Sequence, residues 1–212
     1  MSNFREYEIM VPAMDTSDIT NKIKSLGAKL TKQALQIDEY FDFIPLKFSR
    51  KDELCRIRSE FTQDSKEFIA GEFSWKSGRR GTSENYEVRD DISQSIDTEN
   101  NVNSLREILY KLGLERLAKL EKVRDRWLMT FLDRKVEFEF DKSIHATGLK
   151  KPRKNIGGFL QATIETSENI SDEKIIEVLW QVLQKLGYSR KDFEPRSYIE
   201  IYLNIEKPYH LK

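Results

Sequence analysis

The chain has 212 residues, 38% hydrophobic and 34% charged, with Lys+Arg and Asp+Glu both at 36 and a formal net charge of zero. That length suits one domain, residues 1–212, with an ample core, and the charge balance argues against bulk attraction to nucleic acid or membrane. Cys55, the single cysteine, excludes an intramolecular disulfide and a Cys-based zinc cage. No apolar run reaches the roughly 18 residues of a membrane span and no signal-peptide pattern opens the sequence, so the reading is a cytoplasmic protein.

Residues Phe4–Val11 alternate, with Tyr7, Ile9 and Val11 on one face and Glu6, Glu8 and Met10 on the other, as a half-buried strand does. Thr16/Ser17 can cap a helix to Leu26 that Gly27 stops. Strand patterns follow over Ile37–Phe43, Leu54–Arg58, Glu67–Lys76 and Asn85–Asp91. Ser104 is expected to cap a second helix through Leu105, Ile108, Leu109 and Leu112, with Gly113 as its stop. Further strands are read over Leu120–Phe131, Val136–Asp141 and Phe159–Glu165, and a third helix from Ser171 through Ile175, Val178, Leu179, Val182 and Leu186 to Gly187. Thr82–Glu84, Gln94–Asn103 and Gly148–Asn155 read as loops. A faint repeat relates Leu26-Gly27, eleven residues before Asp38, to Leu112-Gly113, eleven before Arg124.

Eight strands suffice for a closed antiparallel β-barrel, and the apolar faces of the helices need a sheet to cover. The expected fold is therefore α+β: a closed eight-stranded antiparallel β-barrel with helices packed outside. The charged faces then point inward: Glu6 and Glu8; Arg56 and Arg58; Lys76; Glu87 and Arg89; Lys122, Arg124 and Arg126; Glu137, Glu139 and Asp141. The bland alternative is a solvated face whose ion pairs are each worth little. A barrel lined with both signs is not a dry core, because buried unpaired charge is costly. A polyphosphate with divalent cations meets that demand, guanidinium and ammonium groups taking phosphate oxygens while carboxylates hold Mg²⁺ or Mn²⁺.

These stretches, in this order, resemble the CYTH superfamily of class IV adenylate cyclases, thiamine triphosphatases and inorganic triphosphatases, the triphosphate tunnel metalloenzymes. Glu6-Tyr7-Glu8-Ile9-Met10 is similar to the family's Glu-x-Glu-x-Lys, with Met10 in the lysine position. Gln36–Phe41, Leu54-Cys55-Arg56-Ile57-Arg58, Phe73-Ser74-Trp75-Lys76, Lys122-Val123-Arg124 with Trp127, Val136–Asp141 and Arg196-Ser197-Tyr198-Ile199-Glu200 are similar to later motifs. The resemblance implies a tunnel in which Arg56, Arg58, Lys76, Lys122 and Arg124 bind phosphate. It implies metal ligation by Glu6, Glu8 and Asp141, with Glu137, Glu139 and Glu165 as secondary candidates. Gln161 and Thr163 stand where the family carries two more carboxylates.

The function expected is a Mg²⁺- or Mn²⁺-dependent phosphohydrolase or cyclase acting on a small triphosphate (tripolyphosphate, a nucleoside triphosphate or thiamine triphosphate), with hydrolysis preferred. The alternative is a non-catalytic polyphosphate- or nucleotide-binding protein that has lost part of its metal site, as Met10, Gln161 and Thr163 would suit. The basic cluster Lys150, Lys151, Arg153 and Lys154 reads as a solvated loop or a lid, and a homodimer is left open. Cys55 reads as a small buried apolar group and His145 and His210 as surface residues.

Overall fold

A computed structural model describes residues 5–13, 16–79, 87–148, 151–168 and 170–204. Alternation builds the strands: β1 (Arg5–Pro12), β2 (Lys29–Phe43), β3 (Leu54–Phe61), β4 (Phe68–Lys76), β5 (Glu87–Arg89), β6 (Asp91–Ile96), β7 (Leu114–Phe131), β8 (Arg134–Gly148), β9 (Lys151–Asn155) and β10 (Phe159–Thr166). The helices are α1 (Thr16–Ser25), α2 (Glu99–Lys111), α3 (Asp172–Lys185) and α4 (Tyr198–Leu203).

All ten strands join one antiparallel sheet in the order β5-β1-β10-β8-β7-β2-β3-β4-β6, with β9 added to β8. The sheet curls into a half-barrel. This corrects the expectation of eight strands in a closed ring. The hydrogen-bonded path has two ends, β5 and β6, and no ladder joins them among the described residues. The two end strands are nevertheless neighbours in the chain, separated only by Asp90.

Three helices cover the convex face, as expected. Ile19 and Ile23 of α1 and Ile175, Leu179, Trp180 and Leu183 of α3 share a core with Tyr7, Ile9, Val11, Trp127, Phe138, Phe140 and Leu160. Val102 and Leu109 of α2 pack with Phe41, Cys55 and Ile57. Cys55 is thus a buried apolar group, and burial pushes its thiol up to about 11. The second helix begins earlier than Ser104: Thr98 is its cap, accepting a hydrogen bond from the Asn101 amide.

α4 is an element that apolar spacing did not reveal, and it lies on the opposite face. Tyr198, Ile199 and Tyr202 pack with Met10, Tyr40, Leu120, Ile144, Ala146 and Phe159. Of the segments read as loops, Gln94–Asn103 holds the end of β6 and the start of α2, and Lys151–Asn155 is β9. Thr82–Glu84, Lys150 and His210 lie outside the described residues.

The faint repeat has a structural counterpart. α1 and α2 are each followed by a glycine at positive φ, Gly27 at 84° and Gly113 at 90°, the left-handed region glycine enters without strain. The strands that follow, β2 and β7, pair antiparallel from Lys29↔Leu128 to Phe43↔Leu114.

One irregularity shapes the concave face. Between Lys122↔Ile144 and Arg124↔Asp141 the β7–β8 register slips, so β8 carries an extra residue. Side chains 137, 139 and 141 and then 144 and 146 therefore turn to the same side, charged before the bulge and apolar after it. The bulge needs Gly158, whose added Cβ would sit 2.7 Å from the Lys142 carbonyl oxygen and 3.0 Å from that of Asp141. Gly158→Ala is expected to cost about 1–3 kcal/mol, read as a lower urea midpoint at unchanged slope.

Candidate active site

The concave face encloses a chamber of about 120 Å³, several times the space one water molecule needs. Its wall includes Glu6, Glu8 and Met10 of β1, Arg56 and Arg58 of β3, Ser74 and Lys76 of β4, Lys122 and Arg124 of β7, Glu139 of β8 and Gln161 of β10. Phe193, Glu194, Arg196, Ser197 and Tyr198 complete it from the C-terminal segment. Each strand residue reaches the chamber through the same alternation that sends its neighbour to the convex core.

The C-terminal segment is held in place by Arg79. Its guanidinium donates to Asp52 Oδ2 at 2.8 Å, to the Pro195 carbonyl at 2.9 Å and to Glu200 Oε1 at 2.9 Å. The Glu194 amide also donates to the Met10 carbonyl at 2.9 Å. Glu200 closes a capping box with Ser197 at the start of α4.

Two carboxylates organise the basic wall. Asp38, fully buried, accepts from Arg58 Nε at 2.7 Å and Nη2 at 3.1 Å and pairs with Lys122 Nζ at 3.1 Å. Asp141, also fully buried, accepts from Arg124 Nε at 2.7 Å and Nη2 at 2.6 Å, from Tyr198 Oη at 2.7 Å, and pairs with Lys122 at 3.5 Å. Burial alone would raise both acids. At Asp38, Arg58 and Lys122 reverse that and hold the carboxyl well below its usual range; at Asp141, Arg124 and Lys122 outweigh burial and lower it. Glu139 is likewise held far down by Arg124, Arg58 and Arg126 against its burial.

Lys122 is the exception among the cations. Burial first, then the neighbouring Arg124, lowers its ammonium to about 8, although Asp141 and Asp38 work the other way. It lies over the Tyr198 ring, 4.7 Å from the centroid. On the same wall two polar atoms are buried without a partner among the described residues: Arg56 Nε and Ser74 Oγ. Arg56 and Ser74 sit directly opposite each other in the β3–β4 ladder, and Arg56 Nη2 donates to Glu72 at 2.8 Å.

The acidic wall is looser. Glu6 pairs with Lys76 at 3.5 Å, and Lys76 also with Asp91 at 3.2 Å. Burial and then Glu139 raise Glu137, while burial and then Glu6 raise Glu165. A carboxylate raised by neighbouring carboxylates marks a place where a cation would lower the energy. Yet no group of three His, Cys, Asp or Glu side chains lies at metal-holding spacing among the described residues. The donor set therefore suits a hard divalent ion that takes one or two carboxylates and completes its shell with phosphate oxygens and water. It does not suit an all-protein cage.

All five expected phosphate ligands line one chamber, together with Glu6, Glu8 and Glu139. Asp141 stands behind that wall, bonded to Arg124, Lys122 and Tyr198, and Glu137 and Glu165 also lie outside the lining. Asp38, Ser74 and Tyr198 were not singled out from sequence, although each falls inside a quoted motif. Glu87 and Arg89 are placed by backbone alone, opposite Glu8 and Glu6. A larger groove of about 570 Å³ is lined by Arg116, Lys119, Glu121 and Arg153, but these are engaged already, Arg116 with Glu39 and the other two cations with Glu121.

A curled antiparallel sheet with a basic and an acidic wall facing one chamber defines a class of half-barrels with a charged interior. The CYTH domain family model matches residues 5–198, and the chain belongs to that family. A candidate adenylate cyclase from Methanocaldococcus jannaschii is 24% identical over 196 residues, covering 92% of this chain and 97% of that protein. The PH1819 protein of Pyrococcus horikoshii is similar in fold, with a TM-score of 0.72 at 23% identity over 94% of this chain and 98% of that one. A Hippeastrum protein described as having a dominant triphosphatase activity aligns with a TM-score of 0.65 at 17% identity, over 96% and 98% of the two chains. No helix among the described residues is long and apolar enough to cross a membrane.

Proposed function

We propose that this chain binds the triphosphate group of a small molecule in the chamber, together with Mg²⁺ or Mn²⁺, and hydrolyses it. The observation that carries the reading is the buried, unpartnered pair Arg56 Nε and Ser74 Oγ on a wall that also holds Arg58, Lys76 and Lys122. Two orphan donors in a cationic recess are costly unless an acceptor fills it, and a phosphate oxygen accepts from both guanidinium and hydroxyl. Family membership and the triphosphatase activity ascribed to the Hippeastrum protein point the same way.

In this reading Arg56, Ser74, Lys76 and Arg58 take the phosphate oxygens, and Lys122 neutralises charge from the chamber floor. Arg124 supports the wall, since its nitrogens are committed to Asp141, Glu139 and Gln161. Glu6 and Glu8 are the residues to hold the divalent ion, with Glu139 a further carboxylate of the same lining. When bound, that ion neutralises the developing charge and orients water for in-line attack. Fixed donors on rigid strands supply the rest of the catalysis by positioning.

Phosphate release from tripolyphosphate, ATP and thiamine triphosphate with each metal tests the proposal. Tight binding of tripolyphosphate without turnover of any of the three would leave a binding protein, the reading that suits described residues among which no three carboxylates lie at metal-holding spacing. No binding at all would sink both.

Lys122 gives a pH signature. In the free protein the ammonium is half lost near pH 8, and a bound polyanion favours the protonated form. Tripolyphosphate affinity should therefore weaken as pH rises through about 8, with uptake of about half a proton at that pH. Isothermal titration in two buffers of different ionisation enthalpy measures the uptake. The sign for stability is the opposite: with the folded value below the unfolded one near 10.4, Lys122 adds stability to the free protein as pH rises between the two.

A further inference from the structure

Met10 and Gln161 face each other across the β1–β10 ladder, both buried (6% and 8% exposed), inside a chamber whose lining is rich in charged side chains. The Gln161 amide is tied at both ends. Its Oε1 accepts from Arg124 Nη2 at 2.8 Å, its Nε2 donates to Glu8 Oε1 at 2.7 Å, and Nε2 lies 3.9 Å from Met10 Sδ. Chemistry fixes which way the amide points, because a guanidinium only donates and a carboxylate only accepts.

We infer that Gln161 is a positioning residue that holds Glu8 toward the chamber, with Met10 as its matched neutral partner; the cation part of the inference rests on the function proposed above. A carboxylate at position 161 would still accept from Arg124. It would also set a second negative oxygen against Glu8, about where the amide proton now lies, and only a cation would relieve that contact. An ammonium at position 10, on the facing strand, would be such a cation. The two neutral residues thus let Arg124 and Glu8 be joined before any metal arrives, and a change at one position is tolerated when the other changes with it.

The test is a cycle of Gln161→Glu, Met10→Lys and the double variant in the full chain, read first without ligand as the thermal midpoint. Gln161→Glu is expected to lower the midpoint, and the double variant to regain most of the loss; additive shifts would overturn the pairing. Failure of Gln161→Glu to fold alone, with a folded double variant, supports the pairing as well. The second arm uses Gln161→Ala, which cuts both bonds and adds no charge. Mn²⁺ affinity, followed by electron paramagnetic resonance with tripolyphosphate present, should fall about tenfold, in the range for residues that orient a metal ligand. Tripolyphosphate affinity without metal should stay within about twofold, because Asp141 still fixes Arg124. An unchanged Mn²⁺ affinity would refute the positioning role. If the native chain bound no tripolyphosphate, the proposed function would fail while the ligand-free cycle still decided the pairing.

Discussion

Asp141→Ala is expected to lose about 3–5 kcal/mol of folding stability, the cost of leaving buried charge uncompensated. Its carboxylate takes two hydrogen bonds from Arg124 and one from Tyr198 and pairs with Lys122, and every one of these partners is buried. Urea denaturation measures the loss. The same experiment separates two roles for Asp141. A support for the basic wall destabilises the free protein when removed; a metal ligand facing the chamber would leave stability nearly intact and alter only the metal requirement. Asp141→Asn keeps the shape and one acceptor oxygen, so it should lose less than alanine while still failing to balance Arg124.

Arg56→Ala should weaken tripolyphosphate binding by about 10- to 100-fold, since hydrogen bonds to charged groups are worth about 1.5–3 kcal/mol. Folding stability should change far less, because the Arg56 guanidinium bonds to the partly exposed Glu72. Arg56→Lys should recover part of the affinity but not all, as an ammonium lacks the planar fork of donors. Isothermal titration with tripolyphosphate, with and without Mg²⁺, gives both numbers. If Arg56→Ala bound as tightly as the native chain, the orphan Arg56 nitrogen would have no part in holding the ligand.

Much of this fold was legible because β1 and β3 alternate strictly. Tyr7, Ile9, Cys55 and Ile57 mark the convex side so clearly that Glu6, Glu8, Arg56 and Arg58 are assigned by subtraction. The pattern fails where both faces are wet or the parity changes. Lys29–Gln33 at the start of β2 is mostly exposed, so no apolar rhythm announces it. β8 extends to Gly148, beyond the expected Asp141, because the bulge turns Ile144 and Ala146 inward out of step with Glu137 and Glu139. The start of α2 at Glu99, capped by Thr98, was hidden because its first turn is mostly polar and exposed, and the apolar spacing begins only at Val102. α4 is six residues long, too short for a periodicity to register, although Ser197 and Glu200 spell its capping box.

The site was legible by residue but not by partner. Sequence placed Arg124, Lys122 and Asp141 on inward faces; it could not say that Asp141 is spent on the other two, because that depends on the bulge. Nor could spacing reveal that Ser74 and Arg56 would meet across a ladder with Ser74 Oγ and Arg56 Nε unfilled. Such pairings are set by register, which a single strand does not carry.

The pairing of β1 with β10 also dictates an order of events. Arg124 and Asp141 lie 17 residues apart on adjoining strands, so their bond is made within a local hairpin. Glu8 and Gln161 are separated by 153 residues, and their bond waits until nearly the whole sheet is assembled. Closing so long a loop is entropically late. A refolding chain should therefore build its cationic wall first and join the acidic strand to it last, passing through a stage in which the basic half has no carboxylate wall opposite. Polyanions present during refolding would meet that stage before any divalent ion could be held.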